Sequence, residues 1–319
     1  MPHKMGEDTI DLSADHAVEA ILRDELARED RARSGVVPVL RHLLVSDSHA
    51  LVSDVIVARV RGMMVDCAAQ LLAAVEGREP ATRSAAIADP AALDDWAEAL
   101  MADESLLNFC HALANESLLT ERFHQRHAID PVLSPLLQEL IASDQPSIAG
   151  LAMSTLAAQS RFIQSQRRME LPLAELPAEL FHTVIALGAR KAGDDADHAC
   201  LERLQRSYDE AASRLGMLAR LVAAMRRGAM AALAIDHAGM ALFVSVLAVL
   251  TRQPREAGVL ACHEGQGARL ALSLRAAGLS LPAIERQFVL AEPTARMPRA
   301  IASLSVERAA ALLGSGGAA

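Results

Sequence analysis

The feature that most constrains this chain is a helical hairpin at residues 131–156. An apolar stripe at helical spacing is followed by the polar turn Ser143-Asp144-Gln145-Pro146, and a second apolar stripe begins after it. The first stripe contains Pro135, Leu136, Leu137, Leu140 and Ile141, and the second contains Ile148, Ala152 and Leu156. This order of stripe, turn and stripe is typical of an α-solenoid repeat.

The same pattern occurs 97 residues earlier in the chain, with five identities and two Leu/Ile exchanges. The aligned residues are Pro38 with Pro135, Leu40 with Leu137, Leu43 with Leu140, Leu44 with Ile141, Ser46 with Ser143, Asp47 with Asp144 and Leu51 with Ile148. The shared pattern predicts a first helix that buries leucines and a turn whose Ser and Asp cap the next helix. It therefore indicates a duplicated hairpin unit.

The rest of the chain also shows helical periodicity and almost no strand-like alternation. Asp89-Pro90 and Asp103 are suitable N-terminal caps for two further helices. We therefore predict an all-α fold in which a HEAT-like α-solenoid is followed by a C-terminal helical bundle. The predicted divisions are a disordered N-terminus at 1–12, a repeat domain at 13–165, a helical domain at 166–313 and a flexible tail at 314–319.

Charge and aromatic content argue against nucleic-acid binding. The chain of 319 residues has 40 acidic and 31 basic residues, a net charge of -9, which is the wrong sign for neutralising phosphates. It has one Trp and one Tyr, too few to stack along a single strand. A partner protein is therefore expected rather than a nucleic acid.

Cysteine spacing and hydropathy predict a cytoplasmic protein. The four cysteines, Cys67, Cys110, Cys200 and Cys262, are scattered without a CxxC pair, as is typical of thiols in a reducing compartment. The most apolar run, 229–250, is interrupted by Asp236, His237 and Gly239, and a membrane span needs roughly 20 apolar residues. The first 11 residues lack the apolar run of a secretory signal. We predict no membrane span.

No recognised catalytic motif is present, and no cofactor is expected. Glycines 265 and 267 supply two of the three glycines of a dinucleotide fingerprint but follow a helix, so we interpret them as a turn. The acidic cluster Asp194, Asp195 and Asp197 is interpreted as a first helical turn that complements the dipole, with a hard-cation site as the alternative.

Histidines recur near acids and cysteines, but we predict no metal site. Glu121, His124, His127 and Asp130 share a helix face, and Glu179 and His182 form a second acid-x-x-His pair, which together are half of a di-iron bundle site. Ordinary helix-surface pairs are the favoured interpretation. In the adjacent pairs Cys110-His111 and Cys262-His263, we predict a core cysteine and a rim histidine, with metal binding or nucleophilic catalysis as the alternative.

The most basic helix carries the candidate interaction surface. It comprises Arg220, Arg226 and Arg227, with Arg214 nearly two turns earlier. These residues are suited to a phosphate or an acidic partner, the alternative being a solvated helix face.

The two hairpins, around Pro38-Val39-Leu40 with Ser46-Asp47 and Pro135-Leu136-Leu137 with Ser143-Asp144, resemble an uncharacterised bacterial family of unknown function with N-terminal HEAT-like repeats. A weaker match is the segment 274–279. The stretch 77–130 departs from the repeat length. The resemblance implies an α-solenoid fold and supplies no catalytic residue.

These observations predict a non-catalytic protein–protein interaction or regulatory scaffold, with signalling as its expected setting. The alternatives are a HEAT-like nucleic-acid-binding protein and a metal-dependent enzyme in a helical bundle. Assembly into a homo-oligomer is left open.

Overall fold

The computed structural model describes residues 12–45, 53–80, 88–193, 199–263, 266–291 and 296–315. Over these ranges the chain is all-helical and contains no strand, as predicted. The α-helices are α1 (Leu12–Ser34), α2 (Val36–Val45), α3 (Asp54–Val75), α4 (Pro90–Met101), α5 (Glu104–His127), α6 (Pro135–Ile141), α7 (Pro146–Arg167), α8 (Ala178–Ala192), α9 (Ala199–Ser207), α10 (Arg214–Met225), α11 (Ile235–Thr251), α12 (Arg255–Ala261), α13 (Gly267–Ala276), α14 (Leu281–Ala291) and α15 (Val306–Ser315). Short 3-10 helices cover Leu173–Glu175, Glu210–Ala212, Arg226–Leu233 and Arg299–Ser303.

Two of the predicted helix starts are confirmed by their capping bonds. The Asp89 carboxylate accepts a hydrogen bond from the Ala92 amide at 3.0 Å at the start of α4. Asp103 does the same for the Leu106 amide at 2.8 Å at the start of α5. Each bond satisfies one of the amides that a helix leaves unpaired in its first turn, a contribution of about 1 kcal/mol.

The predicted hairpin at residues 131–156 forms as α6 and α7, but its turn residues do not cap α7. The N-cap residue of α7 is Gln145, and Ser143 Oγ instead accepts the Gln145 amide at 3.2 Å. Ser143 lies two residues before the cap, too early to reach the free amides of the first turn. In the earlier copy of the hairpin, Ser46, Asp47 and Leu51 lie outside the described residues.

The apolar run at 229–250 and the last helix are each divided in two. The Arg226–Leu233 3-10 helix precedes α11, and within α11 Gly239 has φ 70°, which breaks the helical path. The C-terminal part of the chain is likewise divided, into the Arg299–Ser303 3-10 helix and α15. In the described ranges no single helix has the length and hydropathy needed to cross a membrane. Helices α11 and α12 have the required length and hydropathy only when taken together, and they form a pair bent by 118°.

Helix α5 runs through the middle of the packing and contributes to two hydrophobic clusters. Its first half packs with α3, α4, α8 and α9, where Phe109 and Phe181 are buried. Its second half packs with α1, α6, α7 and α10–α15, where Phe123 and Phe243 are buried. Both clusters draw residues from each side of residue 165, so the predicted domain boundary does not separate them.

Candidate functional site

A buried ion cluster lies at the centre of the helical packing. Glu116 on α5 is fully buried and is held between Arg214 of α10 and Arg255 of α12. Arg255 donates to both Glu116 carboxylate oxygens at 2.7 Å, and Arg214 donates to both as well, with Nη1 at 3.2 Å. We call these three residues the charge triad. It holds two cations and one anion and therefore has a net charge of +1.

The remaining donors of the two arginines tie further helices to the triad. Arg214 Nε donates to Gln159 Oε1 of α7 at 2.7 Å, and its guanidinium stacks 3.7 Å from the centroid of the Phe162 ring. Arg255 Nε donates to Ser245 Oγ of α11 at 3.1 Å. The triad therefore connects α5, α7, α10, α11 and α12 by charge-assisted hydrogen bonds, which are stronger than neutral ones.

The two arginines keep Glu116 ionised despite its burial. Burial alone would raise the pKa of the Glu116 carboxyl, but the charges of Arg214 and Arg255 and their hydrogen bonds outweigh it and lower the pKa to about 2. A carboxylate held this way is charged at any physiological pH. Its charge offsets that of Arg214, which is only 2% exposed.

Local backbone structure places Arg214 at the triad. Ser213 caps α10, because its Oγ accepts a hydrogen bond from the Gly216 amide at 3.1 Å. Gly216 lets the preceding 3-10 helix lie against the first turn of α10, since a Cβ at this position would overlap the Glu210 carbonyl oxygen. Glu175 then accepts the Arg214 amide at 2.7 Å. Arg214 is thereby fixed as the first residue of its helix.

A cavity of about 410 Å³ opens beside Arg214. We call it the Arg214 cavity. Its walls come from α5, from the second half of α7, from the chain that follows α7 and from the start of α10. The lining residues are Phe109, Leu113, Arg161, Phe162, Gln164, Ser165, Gln166, Arg168, Glu170, Leu171, Pro172, Ala174, Glu175, Arg214 and Leu215. Its volume falls in the usual range for small-molecule sites, roughly 300–1,000 Å³.

The polar groups of the cavity include two without protein partners. Gln166 is 2% exposed and its Nε2 donates to Met63 Sδ, but its Oε1 accepts no hydrogen bond. Arg161 is exposed and has no ion-pair partner within the described ranges. Arg168, in contrast, is paired with Glu170 at 2.8 Å. The buried Gln166 oxygen is a hydrogen-bond acceptor without a donor, a costly state that a bound molecule would relieve.

A scan against models of protein families, a search of curated proteins and a search of solved structures each give no significant match. The resemblance to a HEAT-like family stays a prediction.

The structure corrects the predicted basic helix in two respects, and the first is that Arg226 and Arg227 lie in the 3-10 helix that follows α10 rather than in α10 with Arg220. The second is that Arg214 is buried in the charge triad and does not join Arg220, Arg226 and Arg227, which are exposed. Arg220 donates to the Ala211 carbonyl oxygen at 3.4 Å. We call Arg220, Arg226 and Arg227 the arginine patch. Within the described part of the chain none of the three has a carboxylate partner.

The residues considered for a di-iron site have other partners. Glu121 is paired with Arg59 at 2.9 Å, His124 hydrogen-bonds the Ile129 carbonyl oxygen, and His127 hydrogen-bonds the Leu290 carbonyl oxygen. Asp130 accepts two backbone amides of the following turn. Among the residues the structure describes, no three His, Cys, Asp or Glu side chains are grouped to hold a metal ion. Asp194, Asp195 and Asp197 lie outside those residues.

The histidines of the two Cys-His pairs, His111 and His263, line one cavity, while their cysteines lie in different hydrophobic clusters. Cys110 and Cys262 are fully buried, as predicted, and burial raises the pKa of the Cys262 thiol to about 12 and that of Cys110 well above its ordinary value. His263 is exposed, but His111 is buried rather than at the rim. Burial and the nearby His263 lower the pKa of His111 to about 4, so this imidazole is neutral at pH 7.

Proposed function

We propose that this chain is a non-catalytic regulatory protein that binds a small organic anion in the Arg214 cavity. The observation that carries the proposal is a cavity of about 410 Å³ whose wall contains a buried arginine and an unpartnered, buried amide oxygen. Its lining has no cysteine or histidine, and Glu170 and Glu175 both already accept hydrogen bonds from arginine groups. The cavity therefore has charged and polar groups that can bind a ligand, and its lining carries no thiol or imidazole.

The cavity selects for charge, shape and one hydrogen bond. Three arginines and two glutamates line it, so an anion is favoured over a cation. Phe109, Phe162 and Leu171 offer an apolar wall for the body of the molecule. The Gln166 oxygen needs a donor, so the ligand should carry an N–H or O–H. These requirements describe an amphipathic organic anion with one hydrogen-bond donor.

The position of Arg214 supports a regulatory role. This residue lines the cavity and also belongs to the charge triad, so a ligand that contacts it acts on groups of α5 and α12 as well. A ligand that binds only the folded state stabilises it by mass action. Occupancy of the cavity would thus stabilise the helices that the triad connects.

The probe that fits these requirements is 8-anilinonaphthalene-1-sulfonate, which has a sulfonate, an aromatic body and one N–H. We expect saturable fluorescence enhancement at one site on the full chain, with decanoate competing. In the Arg161→Gln variant, the dissociation constant should rise about 10-fold, the size of one charge-assisted hydrogen bond. Gln166→Leu should weaken the probe by a similar factor and leave decanoate, which has no donor for this oxygen, unchanged.

The matched control for Arg161 is Arg167→Gln. Arg167 is an exposed arginine on the same helix, and it does not line the cavity. Equal affinity in the wild-type protein, Arg161→Gln and Arg167→Gln would contradict binding at this cavity. Far-UV circular dichroism on each variant shows that a loss of affinity is not a loss of fold.

The arginine patch favours a second function, the docking of an acidic segment of a partner protein. Arg226, Arg227 and Met230 lie in one 3-10 helix, and Met230 is 45% exposed. Exposed cations without protein counterions, beside an exposed apolar side chain, are suited to a peptide that carries both acids and an apolar residue. We therefore keep the predicted protein–protein interaction scaffold as a proposal, with the arginine patch as its docking surface. The HEAT-like solenoid also stays a prediction, and α6 and α7 correspond to its predicted hairpin at residues 131–156.

A labelled decaglutamate peptide tests the arginine patch. We expect binding that falls steeply between low salt and 0.5 M salt and is about 10-fold weaker after Arg220, Arg226 and Arg227 are all changed to Gln. The control changes three exposed arginines of α1, Arg23, Arg28 and Arg31, to Gln, which removes the same net charge elsewhere. If both triple variants lose the same affinity, the peptide responds to overall charge and the patch is not a docking site.

A further inference from the structure

A second cavity, of about 290 Å³, lies where the ends of α1 and α12 meet α5. We call it the His263 cavity. Its polar lining residues are Arg33, Ser53, His111, Asn115, His263 and Gln266, and none of them lines the Arg214 cavity. These side chains come from separate elements, which are α1, the start of α3, α5, the end of α12 and the start of α13. Donors therefore approach the cavity from several directions.

Two arginines beside this cavity share a single carboxylate oxygen. Arg33 and Arg269 both donate to Asp30 Oδ1, Arg33 at 3.2 Å. The Nε atoms of both guanidinium groups are buried and have no hydrogen-bond partner. Burial lowers the pKa of Arg33, and the charge of Arg269 lowers it further, which shows that the two cations repel each other. Two carboxylates lie near this pair of cations, Asp30 between them and Glu29 beside Arg269, yet both Nε atoms are left without an acceptor.

The histidine and glutamine of the cavity define which oxyanion fits. Asn115 Nδ2 donates to His111 Nε2 at 3.0 Å, so the hydrogen of this neutral imidazole lies on Nδ1, which is a donor. Gln266 Oε1 is buried and has no partner. Because the Gln266 oxygen is an acceptor among several donors, the cavity matches an oxyanion that carries one O–H. Hydrogen phosphate and phosphate monoanions have such a group, and sulfate does not.

We propose that the His263 cavity is a binding site for a phosphate group, held by the Arg33 guanidinium, His111 Nδ1 and His263 with its O–H donated to Gln266. A tetrahedral group with three or four oxygens suits donors that arrive from several elements better than a planar carboxylate does. The cavity has more room than free phosphate needs, and Val36, Ile56 and Leu260 supply an apolar wall. Free phosphate at neutral pH and a small phosphate monoester below its second pKa, roughly 6, both carry this O–H.

Calorimetric titration of the full chain at constant ionic strength and about pH 5 tests the site, with inorganic phosphate and phenyl phosphate as the probes, because phenyl phosphate keeps one O–H below its second pKa of roughly 6. We expect one saturable site, and tighter binding of phenyl phosphate would identify a monoester as the natural form. Sulfate should bind about 10-fold more weakly, because it cannot donate to Gln266. The Gln266→Leu variant should bind phosphate and sulfate equally. Absence of saturable heat, or equal affinity for phosphate and sulfate in the wild-type protein, overturns the proposal.

Variants at the guanidinium and imidazole locate the site. Arg33→Gln and His263→Gln should each weaken phosphate binding about 10-fold, as expected for one charge-assisted hydrogen bond. Arg31→Gln, an exposed arginine of α1 outside the lining, is the control and should bind as the wild-type protein does. His263 is exposed, so its variant keeps the test valid if Arg33→Gln does not fold. Wild-type affinity in both variants refutes the site.

The two proposed sites fail or succeed independently. Arg161→Gln should leave phosphate binding unchanged, and Arg33→Gln should leave binding of the anilinonaphthalene probe unchanged, since the two linings share no residue. If one variant changes both affinities, the effect is global and does not support the phosphate site.

Discussion

Replacing Glu116 with glutamine is expected to lower the free energy of unfolding by about 3–5 kcal/mol, the usual cost of removing one partner from a buried ion pair. Glutamine keeps the size of the side chain but removes the negative charge between Arg214 and Arg255. Arg214 is 2% exposed and cannot release its proton, so its charge would stay buried without compensation. Urea denaturation of both proteins at pH 7 measures the difference.

The matched control is Glu121→Gln on the same helix. Glu121 also pairs with an arginine, Arg59, but its side chain is 42% exposed, so solvent screens the interaction. This variant should lose about 1 kcal/mol or less. Similar losses for Glu116→Gln and Glu121→Gln would mean that the triad contributes no more than a surface pair. Replacing all three triad residues with Leu or Met should recover most of the lost stability, because an apolar core needs no counterion.

Acid should remove the contribution of Glu116 over a defined pH range. The folded-state pKa of this carboxyl, about 2, is below its unfolded value of 4.5, so its contribution is complete above about pH 4.5. It is lost as the pH falls towards 2. The stability difference between the wild-type protein and Glu116→Gln should therefore be constant from pH 7 to about pH 5 and shrink below it.

Capping residues and apolar spacing were sufficient to predict the helices but not how they pair. Asp89 and Asp103 act locally, within three residues, so their bonds follow from the sequence. The contact between α5 and α12 joins residues 139 positions apart, as in the Arg255–Glu116 pair. Periodicity shows which face of a helix is buried and does not identify the helix that covers it. The predicted division at residue 165 does not separate the two hydrophobic clusters, because each contains residues from both sides of it.

The candidate site was harder to predict because its main residues violate the usual rule that charges are exposed. Arg214 was placed on a basic surface because three other arginines follow it, and a buried arginine is rare unless it is paired. The one available signal was Glu116, an acid three residues after Leu113 on the apolar face of α5. Its two partners, at positions 214 and 255, are too distant for any spacing rule. The sequence gives no indication that Gln166 belongs to the site, because its importance comes from a side-chain oxygen that accepts no hydrogen bond in the folded protein.

Glu29 should make the protein less stable as the pH rises. This side chain of α1 is 5% exposed, and burial raises its pKa to about 7, with the charge of Arg269 and the amides of Arg269 and Ala268 partly opposing that effect. The folded-state pKa is above the ordinary value of 4.5, so folding favours the protonated carboxyl. The contribution is fully present below about pH 4.5 and is lost as the pH rises through 7. At pH 8 the ionised carboxylate should cost about 3 kcal/mol.

The Glu29→Gln variant isolates this effect, because glutamine keeps the side-chain shape and stays neutral. Its free energy of unfolding should exceed that of the wild-type protein by about 3 kcal/mol at pH 8 and by less than about 1 kcal/mol at pH 5. Glu98→Gln, an exposed residue of α4, controls for the change in net charge and should show no such dependence. The measurements need buffers without phosphate, since Arg269 contacts both Glu29 and Asp30 and phosphate beside it would obscure the difference. An advantage of Glu29→Gln that is equal at both pH values would show that this carboxyl is ionised in the folded protein throughout the range.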